Sequence, residues 1–505
     1  MQKLDKAFRL NSAYYSDGYK IGHKQMLAPN TDFLYGTWIP RSVKYAPKGV
    51  SKVVSAGHQF AWRWLHSEYQ ENFFNTPVED AIKFVEDLNM YLNLPYNGEH
   101  FIELHKLGYL PIRVKALKEG VETNPNIPHQ TFVNTKAGFA WLTLYLETIV
   151  SALSWRFSTS ATIALQYKRN ALKAFNETCK EALPVLPYHC HDFSARGLDP
   201  FTMMASGLGF ATSFRGSDTL AVIPSARYFY DEPENEVVIN SVNASEHSVS
   251  TTKIFTVGEK QMIIDWCKEF PTGILSIVAD TFDLFKLITE YLTDPVVKQA
   301  ILYRDGTVVI RPDSGDPVDI VCGKNTGRLA GMYGEAQRDF PDLKGVVELL
   351  GDIFGTTTNE QGYKVLNPKI GCIYGNTITV DRQTAIYERL KSKGYASCNI
   401  VFGVGSFTLG YQTRDSLGFA CKGSWFECDG KGHSIYKDPA TDDGTKKSLK
   451  GKVAVHYSYA DGYVVQTECT DAEEQKGELQ VIYEDGKFFN QTTLTEIREN
   501  IDNIL

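Results

Sequence analysis

The chain has no surplus of basic charge: 52 Lys and Arg stand against 60 Asp and Glu, a formal net charge of −8. That argues against a nucleic-acid surface, which needs Lys and Arg gathered on one face to meet phosphates. The nine cysteines include no CxxC pair. An odd, scattered set fits reduced thiols in a cytoplasmic protein better than a disulfide scaffold, and no zinc site is expected. The opening MQKLDKAFRLNSAYY lacks a continuous apolar segment, so no secretory signal is expected. No fixed-period repeat or low-complexity tract occurs, which excludes solenoids and propellers. Long hydrophobic runs are also missing. The most membrane-like stretch, Phe139 to Trp155, carries Glu147 at its middle and is interrupted by Thr, Ser and Tyr; it reads as a buried helix rather than a membrane span. Small-molecule partners are expected, without nucleic acid or membrane.

What is present is ordinary globular composition, 43% hydrophobic and 22% charged over 505 residues, enough for two cores or one large composite core. Up to about residue 150 the pattern is mixed, with an aromatic helical segment FAWRWLHSEYQENFF and a strand-like YLPIRVKAL. From about 155 to 405, short β-branched runs alternate with helical segments, the signature of parallel strands joined by crossovers. Several runs end alike: SIVAD at Asp280, TVVIRPD at Arg311 and Asp313, IGCIYGN at Gly375 and Asn376, NIVFGVGS at Gly405 and Ser406, YHCHDF at Asp192 and Phe193, ATSFRGSD at Asp218. In a parallel α/β sheet or barrel, ligands gather at the carboxyl ends of strands, where these polar residues fall. After about 415 the chain alternates and turns, with hairpin signals at Asp461-Gly462 and Glu484-Asp485-Gly486. A terminal helix follows, with Thr493 as N-cap and Glu496 completing the capping box. The expected architecture is an irregular α/β barrel over 151–405 and a discontinuous β-rich domain from 1–150 together with 406–505.

Each chemical constellation has a bland counterpart. In HDFSARG, Phe193 offers a stacking face and Arg196 a guanidinium fork for phosphate or carboxylate; a core Phe beside a surface Arg fits equally. Asp218 in FRGSDT would accept a carboxamide N–H and repel a carboxylate; it also fits a turn after Gly-Ser. His247, among small hydroxyl residues and beside Glu246, can carry a labile phosphate or serve as a structural histidine. IRPDSGDP is sharper. It sets Arg311, Asp313 and Asp316 on a tight turn after a β-branched run, where a cation and carboxylates can grip pyrophosphate together with Mg²⁺. The glycines of GVGSF and Gly375 can bring backbone N–H groups against a phosphate. The basic run Lys446 to Lys452 can close over anions or lie solvated.

At SDGYKIGHKQMLAPNT, HDFSARG, FRGSDT, SVNASEHS, VADTFD, IRPDSGDP, FGVGS, TRDS and YKDPATD, the chain resembles the nicotinamide phosphoribosyltransferases, from about Asp17 to the last helix. The resemblance implies an irregular, type II phosphoribosyltransferase-like α/β barrel joined to a β-rich domain, with active sites shared across a homodimer. It implies that Phe193 and the partner's Tyr19 sandwich a pyridine ring and that Asp218 receives its carboxamide. Arg196 and Arg311 would bind pyrophosphate and ring substituents, with Asp280 and Asp313 near the ribose and Mg²⁺. His247 would be phosphorylated by ATP. Gly375, Asn376, Gly405 and Ser406 would hold ribose and 5′-phosphate, assisted by Arg414 and Lys422 of the neighbouring chain and by Lys446. Two departures stand out: Asn376 replaces the family's usual Asp, and Ala420 replaces a phosphate-contacting Ser.

The implied reaction joins nicotinamide and phosphoribosyl pyrophosphate into nicotinamide mononucleotide and pyrophosphate, a step of NAD biosynthesis. The pyridine nitrogen attacks the anomeric carbon through an oxocarbenium-like transition state and needs no strong general base. Three rivals frame this expectation. A nicotinate phosphoribosyltransferase would set a carboxylate against Asp218. A Schiff-base barrel aldolase would need a strand-end Lys, which none of these runs supplies. A nucleotide sensor without turnover would fit the altered Asn376 and Ala420.

Overall fold

The computed structural model describes residues 9–324, 340–437 and 448–505. Seven parallel strands form one sheet, ordered Gly216–Ser217, Cys190–Phe193, Ile400–Gly405, Ile370–Tyr374, Asp305–Arg311, Thr272–Val278 and Asn243–Ala244. Its two edges meet: Gly216 bridges Asn240 in parallel sense, Ser217 N donating to Asn240 O at 2.9 Å and Asn240 N to Arg215 O at 2.7 Å. The sheet therefore curls into a closed, uneven ring, because its two shortest strands sit at the seam. The six runs expected to be strands all lie in it. The seventh, Asn243–Ala244 inside SVNASEHS, is too short and polar to register as a strand by periodicity.

The antiparallel sheet draws on both chain ends. Its order is Lys431–Ser434, Ala420–Cys428, Thr31–Ile39, Gln130–Asn134, Ile112–Ala116, Gln480–Glu484 and Lys487–Phe488. Both hairpin signals lie at turns: Gly462 (φ +73°) opens the second strand of one hairpin, and Asp485 (φ +49°) and Gly486 (φ +83°) reverse the other. The terminal helix Leu494–Asp502 has the capping box, Glu496 N to Thr493 Oγ1 at 3.1 Å and Thr493 N to Glu496 Oε2 at 2.8 Å.

The membrane-like stretch becomes two helices, Ala140–Tyr145 and the 32-residue Glu147–Thr178. The long helix threads three hydrophobic clusters. Leu153 packs with the antiparallel sheet, Phe157 and Leu165 with the helices behind the barrel, and Tyr167 and Phe175 with the core between the barrel strands and their surrounding helices. Residue 150 lies inside this helix, so the chain passes between regions without a linker. Glu147, the charge that argued against a membrane span, meets Lys20 Nζ at 2.7 Å. Burial works against the Lys20 ammonium, but the Glu147 carboxylate more than offsets it and raises the Lys20 pKa. That ion pair anchors the turn Gly18–Lys20 and leaves Tyr19 facing outward, 67% exposed. Among the described residues, no helix is long and apolar enough to cross a membrane, and all nine cysteines are free thiols.

Candidate active site at the carboxyl mouth of the barrel

A cavity of about 510 Å³ opens at the carboxyl ends of the barrel strands. Phe193, Arg196, Asp218, Arg311 and Asp313 line it together with Gly375, Asn376, Gly405 and Ser406. Residues from five strand ends thus converge on one space, as parallel strands require of their C-terminal loops.

Each side chain is held by local structure. Phe193 ends its strand and lies over glycine: a Cβ built on Gly403 would sit 2.2 Å from Phe193 Cδ2, and one on Gly375 2.9 Å from it. These glycines, read above as phosphate-facing amides, also have a steric role as the bed beneath the ring. Gly403→Ala is expected to push the ring into the cavity. An aromatic contact is worth about 0.5–1.5 kcal/mol beyond buried area, so the KM for a flat heteroaromatic substrate should rise by about two- to tenfold. Steady-state kinetics on the purified variant check this, and an unchanged KM would remove the bed from the argument.

Asp218 follows the seam strand, and Ser241 Oγ donates to its Oδ1. Ser241 was not among the expected site residues; it follows the bridging Asn240 directly, a placement only the closed ring creates. On the next rim segment, Asp280 Oδ2 accepts from Asp313 N at 2.9 Å and from Ser314 Oγ at 2.5 Å, while Oδ1 meets His247 Nε2 at 3.1 Å. Burial raises the Asp280 carboxyl, but the Ser314 hydroxyl, the Asp313 amide and His247 together hold it below the ordinary carboxylate value. His247 begins the helix His247–Val257, its side chain 45% exposed. His247, Asp280 and Asp313 therefore form one hydrogen-bonded chain along the rim.

The tight turn behaves differently from expectation in one respect. Asp316 is not aimed at a shared ligand: it caps the helix Pro317–Cys322, accepting from Val318 N at 3.0 Å and Asp319 N at 3.1 Å. A Pro-started helix directly after the turn claims that carboxylate. Asn376, the departure from the family pattern, donates Nδ2 to Asp313 O at 3.2 Å, a bond that an ionised Asp could not make. Arg311, which lines the cavity 4.0 Å from Asp313 Oδ2, keeps a buried Nε without a hydrogen-bond partner among the described residues. An unsatisfied donor at such a mouth suits an anionic ligand.

Three expected residues lie elsewhere. Tyr19 is on the outer surface, packed edge-on to His23 at 5.3 Å between centroids. Arg414 and Lys422 line a second cavity of about 670 Å³ with Arg41, Lys437 and Lys450, and with Ala420 at its wall. Among the described residues that line this second space the charged ones are all cations, which concentrates positive potential there. Lys446 lies outside the described residues. Lys450 belongs to the basic run read as able to close over anions, whereas sequence reading missed Arg41 and Lys437, since single cations far apart in the chain carry no local pattern.

Parallel strands closed into a ring, with a cationic and acidic mouth and an antiparallel sheet made from both chain ends, define a phosphoribosyltransferase-type barrel fold. The same fold occurs in nicotinate-nucleotide pyrophosphorylase from Pyrococcus furiosus (TM-score 0.55, 15% identity, covering 100% of this chain and 98% of that one). It also occurs in human Nicotinic Acid Phosphoribosyltransferase (TM-score 0.54, 14% identity, covering 97% and 93%). Residues 188–487 match the Nicotinate phosphoribosyltransferase (NAPRTase) family, and the chain belongs to it. It is 38% identical to the Nicotinamide phosphoribosyltransferase of Acinetobacter baylyi, covering 98% of both chains. It is 32% identical to the protein of that name from Xanthomonas campestris pv. campestris, covering 96% of this chain and 97% of the other.

Proposed function

We propose that the chain is a nicotinamide phosphoribosyltransferase, forming nicotinamide mononucleotide and pyrophosphate from nicotinamide and phosphoribosyl pyrophosphate. The observation that carries this is Asp218, held by Ser241, in the same cavity as Phe193 and Arg311. A carboxylate beside an aromatic face accepts the carboxamide N–H and repels nicotinate. The relatives bearing the nicotinamide name support the same substrate.

In this reading Phe193 stacks the pyridine and aligns its nitrogen with the anomeric carbon. Arg196 and Arg311 bind the pyrophosphate, which leaves as the C–O bond breaks and the C–N bond forms. Asp280 and Asp313 would hold Mg²⁺, which supplies charge neutralisation for the leaving group. Among the described residues no cluster of three metal-ligating side chains occurs. Asp313 lines the cavity beside Arg311, and Mg²⁺ is commonly bound through one or two carboxylates together with phosphate oxygens. The Asp280–His247 bond orients the imidazole. With the proton on Nε2, Nδ1 keeps the lone pair that can take the γ-phosphoryl of ATP, releasing ADP.

The reading further includes a homodimer in which Tyr19, Arg414 and Lys422 of one subunit complete the cavity of the other, and a cytoplasmic setting in keeping with free thiols. The deciding experiment incubates the protein with phosphoribosyl pyrophosphate, Mg²⁺ and either nicotinamide or nicotinate, with and without ATP, and measures mononucleotide. Nicotinamide is the expected substrate. A nicotinate preference, or no product with either, overturns the assignment. ATP-enhanced turnover and ATP hydrolysis that persist in His247→Ala would remove the phosphohistidine step alone.

A further inference from the structure

Directly behind this cavity lies a carboxylate that the reaction does not use. Asp192 is 0% exposed and precedes Phe193 on its strand. Its Oδ1 accepts from Ser194 N at 2.8 Å, its Oδ2 from Thr219 Oγ1 at 2.8 Å, and its main-chain oxygen from Asp218 N at 3.0 Å. One buried residue thus joins the loop that carries Phe193 and Arg196 to the loop that carries Asp218. Thr219 N also bonds Ser217 Oγ at 3.0 Å, closing the second loop on itself.

The clamp has no slack behind it. The helix Pro200–Ala211 presses on it through Gly207, where an added Cβ would lie 2.5 Å from Val222 Cγ2, 3.1 Å from Thr219 Cγ2 and 3.4 Å from Asp192 Oδ2. A fully buried carboxylate is expensive unless donors compensate it. Burial raises this one's pKa, and the Ser194 and Thr219 donors oppose that by favouring the charged form.

Rigidity matters here because selection by repulsion works only when the repelling group cannot turn away. A loosely held Asp218 would swing from a nicotinate carboxylate and lose its discrimination. Asp218 is instead fixed at its amide by Asp192, at the following side chain by Asp192 again, and at its carboxylate by Ser241. We infer that Asp192 is a positioning residue for substrate selectivity: through Ser194 and Thr219 it locks Asp218 relative to Phe193 and so sets the preference for a neutral carboxamide over a carboxylate.

This inference rests on the function proposed above. The test measures the KM for nicotinamide and the Ki of nicotinate as competitor in the wild type and in Asp192→Asn, Thr219→Val and Thr219→Ser. The ratio of Ki to KM is expected to fall about tenfold in Asp192→Asn and Thr219→Val, the size of effect of about one lost hydrogen bond to a charged group. Thr219→Ser, which keeps the hydroxyl, should retain the wild-type ratio. A merely structural residue would lower turnover and leave that ratio unmoved. A ratio within about twofold of wild type in Asp192→Asn and Thr219→Val therefore overturns the inference. Should Asp192→Asn fail to fold, Thr219→Val decides, since it keeps the side-chain shape. A wild type that makes no mononucleotide from nicotinamide sinks the proposed function and the lock with it; an active wild type with unmoved ratios sinks the lock alone.

Discussion

Arg311→Ala is expected to lower kcat/KM for phosphoribosyl pyrophosphate by about 10²–10³-fold, the range typical of removing one preorganised charge stabiliser. Arg311 ends the strand Asp305–Arg311, its side chain is 16% exposed, and its buried Nε has no hydrogen-bond partner among the described residues. The guanidinium makes a weak contact with Asp313, at 4.0 Å. A desolvated cation held by a strand but not neutralised is already in place for a charge that develops on the leaving group. Arg311→Lys should recover a minor part of the loss, since an ammonium has the charge without the planar fork that meets two oxygens at once. Initial-rate measurements with varied phosphoribosyl pyrophosphate check this, and a loss of less than about threefold for the alanine variant would show that Arg311 does not touch the reacting phosphates.

Two separately inactive variants, Asp313→Ala and the double variant Arg414→Ala/Lys422→Ala, should regain activity when their subunits are mixed and exchanged. Asp313 lines the barrel cavity and Arg414 and Lys422 line the second, positive one, with no residue common to the two linings. If each active site takes its rim from one subunit and its extra cations from the other, half of the dimers after random exchange are mixed. Each mixed dimer has one site with both lesions and one with none. Recovery should then approach about a quarter of wild-type activity per mass of protein. If one chain supplied every residue of its own site, the mixture would stay as inactive as its parts. The exposed Tyr19, held outward by the Lys20–Glu147 pair, belongs to the same argument. An outward aromatic has nothing to stack against in its own cavity.

The segments legible in the sequence were those whose signal is local. Short runs with a common ending marked six barrel strands; five of them end at residues that line the mouth, and the sixth ends at Asp280, hydrogen-bonded to Asp313. The capping box at Thr493 and Glu496, and the turns at Asp461-Gly462 and Asp485-Gly486, are short-range chemistry and stand where expected. Tight turns are less readable, because the same residue type serves two ends. Asp313 faces the cavity while Asp316, three residues on, caps a helix. Only the direction of the following helix separates the two.

Residue types and their order along the chain were enough to determine the parallel strands joined by crossovers, the acids and arginines at their ends, and the kinship carried by nine motifs, since each depends on neighbours in sequence. The closed ring, the Ser241 bond to Asp218, the glycine bed under Phe193 and the separation of the two cavities were decided by tertiary structure alone. They arise where segments far apart in sequence are pressed together by burial, and packing of that kind leaves no periodic trace in a linear string.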